Sequence, residues 1–243
     1  MNIINDTQKA QALEFLNKDY LMYAPMIEAI EKNKSSILGV YDYGAALLHE
    51  DGIMQLGLNN DEAILQFKDK INEGILTVFY GNTDPEYLTK AIPNISRVVP
   101  CYQVVYTNKT PPDIEYKASY NLLNETHLDF VFETYSRAWN KDHMKNQLNK
   151  GLIWGAYLNG EIIGFVGRHG EGSMGLLEIL PKFRRQGFGQ ELEYFIINKV
   201  LEENKIPYAH IVLGNDVSMN LQTKINGLET ASRFTTWIRA ENK

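Results

Sequence analysis

Hydrophobic positions along this chain follow two periods, and the switches between them mark out its elements. Residues 7–17 set Ala10, Leu13 and Leu16 at the spacing of one helix face. Residues 20–32 continue helically. Pro25 lies inside that stretch, so its regular part is expected to begin there, with Met26, Ile27 and Ile30 facing inward. Three apolar-rich runs follow at 36–41, 44–49 and 53–58. Asp42 and Asp51-Gly52 separate them, and they read as strands. Residues 59–62 have capping-box character ahead of a helix carrying Ile64, Leu65, Phe67 and Ile71, which Gly74 ends. Residues 75–80 form a β-branched and aromatic strand. Asp84-Pro85 opens a short helix through Lys90, and 98–107 read as a long strand.

The polar, doubly prolyl run TNKTPPD at 107–113 resists both helix and strand, so a boundary is expected there between lobes 1–113 and 114–243. Beyond it, Asn124 caps an expected helix over 125–139, whose inner face carries Leu128, Val131, Phe132, Tyr135, Ala138 and Trp139. A shorter helix covers 141–150 and stops at Gly151. Strands 152–158 and 161–168 flank Asn159-Gly160, a dipeptide suited to the positive φ angles of a type I′ hairpin. The tetrapeptide HGEG, starting at His169, turns the chain into strand 173–180. That strand is nearly continuous in apolar residues and is expected to be central and buried on both faces, with Glu178 the interruption. Pro181 ends its pairing. Helix 190–203, strand 207–213, a helix from Asn215-Asp216 through Ile225 and strand 231–239 complete a chain of α/β (α+β) class.

Composition narrows the function. With 44% hydrophobic residues the 243-residue chain has enough apolar content for a packed core. A net charge of −6 argues against a general nucleic-acid surface, because counterion displacement needs a basic excess. Only a local basic patch, Lys182, Arg184 and Arg185, stands out. Cys101 is the sole cysteine and reads as a small core residue; no Cys/His spacing fits a metal. Asp42, His49, Glu50 and Asp51 read as turn and surface residues rather than ligands. The N-terminus lacks a charged segment followed by an apolar one, and no apolar run nears the ~18 residues of a membrane span. A soluble cytoplasmic protein is expected, with neither nucleic acid nor membrane as a partner.

The chemistry concentrates at GLLEILPKFRRQGFGQ, residues 175–190. Here an apolar strand, a proline, the spacing Arg184-x-x-Gly187-x-Gly189 and a helix start follow one another. Such a turn offers bare N–H groups and a partial positive charge, which suit a phosphate. It is not the dinucleotide pattern, which needs a third glycine, nor a P-loop, which needs Gly-Lys-Ser/Thr.

The series hairpin, apolar strand, proline, R-x-x-G-x-G, helix, strand, Asn-initiated helix, strand resembles the GNAT superfamily of acyl-coenzyme A N-acyltransferases. Residues 124–239 span essentially that domain, and Ile179-x-Pro181-x-Phe183-Arg184-x-x-Gly187-x-Gly189 looks like its main cofactor motif. Pro207-Tyr208, Asn215-x-x-Ser218 and Trp237 look closest to the glycine N-acyltransferase-like branch. The first half is similar in element order to a degenerate GNAT-like lobe. The resemblance implies a mixed, mostly antiparallel sheet flanked by helices and acetyl-coenzyme A, or another acyl-coenzyme A, as donor. It implies that the backbone of Leu177, Ile179 and Leu180 pairs with the pantetheine arm like an added strand. It also implies that Arg184, Arg185, Gln186, Gly187, Phe188, Gly189 and Gln190 seat the pyrophosphate and that Asn215 touches the cofactor. The implied reaction is direct transfer to an amine or amino-acid acceptor. Glu178, as a carboxylate in a buried apolar strand with a raised pKa, is the leading candidate base; Glu171 and His169 follow, and a positioned water is a further alternative. Gln222 stands where many members carry an acidic tyrosine. An amide cannot serve as that acid, and Tyr208 is the candidate substitute. A non-catalytic acyl-coenzyme A-binding regulatory module and a nucleotide or phosphosugar enzyme remain alternatives, and a homodimer stays open.

Overall fold

The structure is a computed structural model, and it describes residues 6–82, 84–92, 94–138 and 140–241. Its architecture is mixed α/β, with a large, mostly antiparallel open sheet flanked by helices. The elements in chain order begin with helices α1 (Asp6–Leu16) and α2 (Tyr20–Glu31) and strands β1 (Ser35–Tyr41), β2 (Gly44–His49) and β3 (Met54–Leu58). A 3-10 stretch, Asp61–Phe67, runs into α3 (Lys68–Asn72). Strand β4 (Thr77–Asn82), helix α4 (Pro85–Ala91) and strand β5 (Ile95–Tyr106) follow. The second half comprises β6 (Ser119–Leu122), α5 (Leu128–Thr134), α6 (Lys141–Asn149), β7 (Ile153–Leu158), β8 (Glu161–Arg168) and β9 (Met174–Ile179). Helix α7 (Phe188–Glu202), strand β10 (Tyr208–Val212), helix α8 (Asp216–Gln222) and strand β11 (Leu228–Ala240) end the chain.

Two compact units emerge, and their limits differ from the lobes expected at 113/114. One holds residues 1–105, 210–216 and 229–243; the other holds 106–209 and 217–228. The C-terminal residues join the first unit because β11 pairs antiparallel with β4, Thr236 facing Phe79 and Ile238 facing Thr77. Hydrophobic periodicity says that 231–239 form a strand, not which strand they join.

In the first unit β1, β2 and β3 form an antiparallel meander, and β3 then runs parallel to β4 through four couples, Met54↔Thr77 to Gly57↔Tyr80. One face packs on α1 and α2 through Leu16, Met22, Met26 and Ile30, and a second cluster sets Leu56, Ile64, Phe67 and Phe79 together. Cys101 is buried. Helix α2 does not wait for Pro25. It starts at Tyr20, capped by the Asp19 side chain on the Met22 N–H, and passes through the proline. Pro25 has no N–H for the carbonyl of Leu21, and the buried Gln103 side chain donates to that carbonyl instead, at 3.3 Å. A distant amide thus repairs the helix.

In the second unit β6, β7, β8 and β9 form an antiparallel series. The Asn159-Gly160 hairpin has φ angles of 52° and 82°, as a type I′ turn requires. Leu123, Val131, Met144, Leu148, Phe165 and Leu176 make its core. Helix α5 is shorter than its apolar pattern suggests. It ends at Thr134, where Tyr135 turns extended, and the expected Trp139 lies outside the described residues.

Candidate active site

The site grows from two departures from regular sheet. In β9 the pairing with β8 slips between Phe165 and Gly167, and Leu176 takes φ 49°, a left-handed angle rare for leucine. This is a β-bulge. The parallel partner β10 meets β9 at a single couple, Ala209↔Met174. From there to Ile179, no strand among the described residues is in register with the β10 side of β9. Register decides which groups face that edge. Leu180 donates its N–H to Ile163 of the β8 side at 2.9 Å, and its carbonyl accepts from the Phe183 N–H at 2.9 Å. Two-residue alternation then turns the N–H and carbonyl of Ile179 to the open edge. Both backbone groups of Leu180 are already committed.

After Pro181 the chain makes a 3-10 turn and then two left-handed residues, Arg185 at φ 63° and Gly187 at φ 93°, before α7 begins at Phe188. No side chain caps this 15-residue helix. The N–H groups of Arg185, Gln186, Gly187, Phe188 and Gly189 have no hydrogen-bond acceptor among the described residues, whereas those of Gln190 and Glu191 bond the Gly187 carbonyl. A Cβ built on Gly187 would meet nothing within 4 Å, and one on Gly189 only Leu221 at 3.8 Å. Uncapped N–H groups, a helix N-terminus and open space above the glycine are what a pyrophosphate needs, so the residues present fit that group. Arg185 stands exposed at the turn. Lys182 is ion-paired with Glu161, and the Gln186 and Gln190 side chains hold the carbonyls of Lys182 and Lys224.

Glu178 has polar partners. Its carboxylate, 14% exposed, accepts from Arg184 Nη2 at 3.2 Å and from the Ser136 N–H at 3.3 Å. The expectation of a carboxylate isolated in a strand buried on both faces is corrected accordingly. The bulge breaks that strand's regular burial, and the segment after α5 supplies a donor. The same Arg184 donates its Nε to the Ile179 carbonyl at 2.9 Å. The sequence gives Ser136 no role and gives Tyr135 only a place on the inner face of a helix. Burial pushes the Tyr135 phenol above its ordinary value; Arg137 opposes that, Glu178 adds to it, and a hydrogen bond from the Leu176 backbone opposes it. An apolar-periodic stretch gives no hint that its last turn unwinds to meet a strand.

The other candidates gather at the opposite end of β9. Tyr208 is buried, and its hydroxyl donates to the Glu171 carbonyl at 2.7 Å. Glu171 holds the Ser173 hydroxyl, and the His169 ring lies against Gly175 and stacks with His143 at 6.4 Å. His169 and Glu171 lie in the turn before Met174, and the strand from Met174 to Glu178 spans roughly 13 Å at about 3.3 Å per residue. The structure therefore does not bring the candidate bases together. Asn215 belongs to the first unit, its N–H bonding the Val212 carbonyl. Gln222, 5% exposed, faces the buried Glu193 of α7. Among the described residues no group of His, Cys, Asp and Glu could hold a metal ion, and no helix is long and apolar enough to cross a membrane.

Comparison with known proteins bears on the fold. Residues 151–238 match the model of the FR47-like protein family. A Drosophila protein of known structure superposes with a TM-score of 0.64 at 14% identity, over 97% of this chain and 95% of its own. A putative GNAT-family acetyltransferase from Novosphingobium aromaticivorans gives 0.59 at 13% identity, over 92% and 100%. A GCN5-related N-acetyltransferase-like protein from Streptococcus suis gives 0.53 at 13%, over 98% and 100%. No curated protein matches in sequence. The fold is that of the GNAT-family acetyltransferases.

Proposed function

We propose that this chain transfers an acetyl or other short acyl group from acyl-coenzyme A to a small-molecule amine or amino acid. The observation that carries the reading is the joint geometry of the second unit: an open β9 edge leading directly into uncapped N–H groups at a left-handed turn. The turn from Arg185 to Gly189 would hold the pyrophosphate, and Leu177 and Ile179 would pair with the pantetheine arm. Bound acyl-coenzyme A supplies the thioester whose C–S bond breaks as the acceptor nitrogen forms an amide. Glu178 would take the proton the amine loses, and the protein's main contribution would be alignment. The residues Pro207-Tyr208, Asn215, Ser218 and Trp237 support the glycine N-acyltransferase-like branch. Element order supports a GNAT-like first lobe. That lobe lacks a seat, because β3 and β4 stay paired and the Glu62 N–H is capped by Asn60.

Acetyl-coenzyme A at about 100 times its Kd should stabilise the protein by about 2.7 kcal/mol, roughly 5–10 °C in Tm. Thiol release should then depend on an added amine. No thermal shift at saturation would refute the reading. Gln222 at the usual acid position favours a second reading, a non-catalytic acyl-coenzyme A-binding module. Binding without transfer to any member of an amine panel would support that one.

A further inference from the structure

One arginine bridges the two parts of the site. Arg184 leaves the turn and folds back along β9, its Nε on the carbonyl of Ile179 at 2.9 Å and its Nη2 on the Glu178 carboxylate at 3.2 Å. The Ile179 carbonyl is the acceptor that faces the open edge, so the guanidinium occupies the position an added strand must take. The Arg184 side chain is 54% exposed. Uncapped N–H groups lie a few residues further on, where a phosphate would offer it a stronger partner.

We propose that Arg184 is a specificity-determining latch: it closes the β9 edge and engages Glu178 until a pyrophosphate-bearing donor draws it to the turn. This rests on the reading of the site as an acyl-coenzyme A seat. A pantetheine thioester without phosphates must displace the guanidinium from Ile179 with no compensation. Acyl-coenzyme A displaces it and gains an ion pair at the pyrophosphate. Release of Glu178 accompanies donor binding, so the carboxylate becomes available to an amine only when the correct donor is seated. The latch thereby favours coenzyme A thioesters over phosphate-free ones, using one residue in two positions.

The two ligands give the test opposite signs. Wild-type protein and Arg184→Ala are titrated with acetyl-coenzyme A and with S-acetylpantetheine, following backbone amide resonances by NMR. The variant should bind S-acetylpantetheine about three- to tenfold more tightly, the loss of one exposed charge-assisted contact in the free state. It should bind acetyl-coenzyme A about tenfold more weakly. Glu178→Gln, which loosens the latch from its other end, should also tighten S-acetylpantetheine binding, by less. Unchanged Tm values establish that the variants are folded. Affinity for S-acetylpantetheine that is unchanged, weaker or undetectable in Arg184→Ala overturns the latch while leaving the seat intact. If wild-type protein binds neither ligand, the acyl-coenzyme A reading itself fails.

Discussion

Glu193 gives the structure its sharpest pH-dependent consequence. It lies on α7 at 4% exposure, facing Gln222 of α8 at 5%. Burial pushes its carboxyl from 4.5 up to about 7, and a hydrogen bond from the Gln222 amide pulls the other way. The folded state therefore holds this proton more tightly than the unfolded chain does. Its contribution to stability is fully present below the unfolded value of 4.5 and is lost as pH rises to about 7. At about 1.4 kcal/mol per pH unit, the loss above that range is about 3 kcal/mol. Glu193→Gln keeps the shape and removes the charge. Its new N–H groups can also reach Gln222 Oε1, which has no hydrogen-bond partner among the described residues. At a pH of ~8 the variant should melt roughly 6–12 °C above the parent, and near ~5 the two should nearly coincide. Thermal unfolding followed by circular dichroism across that range measures the gap. A gap independent of pH, or none, refutes the assignment of the proton to Glu193. Gln222→Leu supplies a control: without its amide the loss should grow and extend to higher pH.

Three further substitutions probe other parts of the argument. Gly187→Ala introduces a Cβ with free space but at φ 93°, so it should cost about 1–2 kcal/mol in urea unfolding and weaken acetyl-coenzyme A binding more than tenfold in calorimetry. Equal binding would place the phosphate elsewhere. Arg168, 5% exposed, clasps Glu203 with two hydrogen bonds of 3.0 and 2.6 Å from the end of β8 to the end of α7. Arg168→Lys keeps the charge but not the fork, and a loss of about 1–3 kcal/mol is expected. Gln103→Leu should cost about 2 kcal/mol by stranding the Leu21 carbonyl, and less in a Pro25→Ala background where an N–H returns to the helix; equal costs in both backgrounds would refute that repair.

What the sequence discloses is what its neighbours in the chain decide. Asn159-Gly160, the caps at Asn60, Asp84, Asn124 and Asn140, and the glycine turn after Pro181 all act within a few residues, and each is readable from residue type. Outcomes that depend on remote partners are not. Helix α2 runs through Pro25 because Gln103 supplies the missing bond, and α5 stops early while Ser136 gives its N–H to Glu178. Leu176 adopts an angle its side chain disfavours because the strand around it bulges. The glycine turn and its uncapped helix start were legible for the first reason. The surroundings of Glu178, supplied by Arg184 and Ser136, were hidden for the second.

The two units carry a natural control for the proposed cofactor seat. Each has an antiparallel series whose last strand leads through a helix to a parallel neighbour: β3 to β4, and β9 to β10. In the first, β2 and β3 stay in continuous register, and the parallel pair closes through four couples. Its following turn holds Asp61 and Glu62, whose charges repel an anion. In the second, the register of β9 slips at the bulge, and parallel pairing is reduced to Ala209↔Met174. A bulge bends its strand and increases local twist, which is a physical means of carrying the end of β9 away from β10. The open edge and the phosphate turn are thus separable inventions. The turn requires Gly187 and a helix that nothing caps, while the edge requires a leucine held at φ 49°. A chain with the motif but a straight β9 would seat a phosphate and leave the thioester arm without a strand to join.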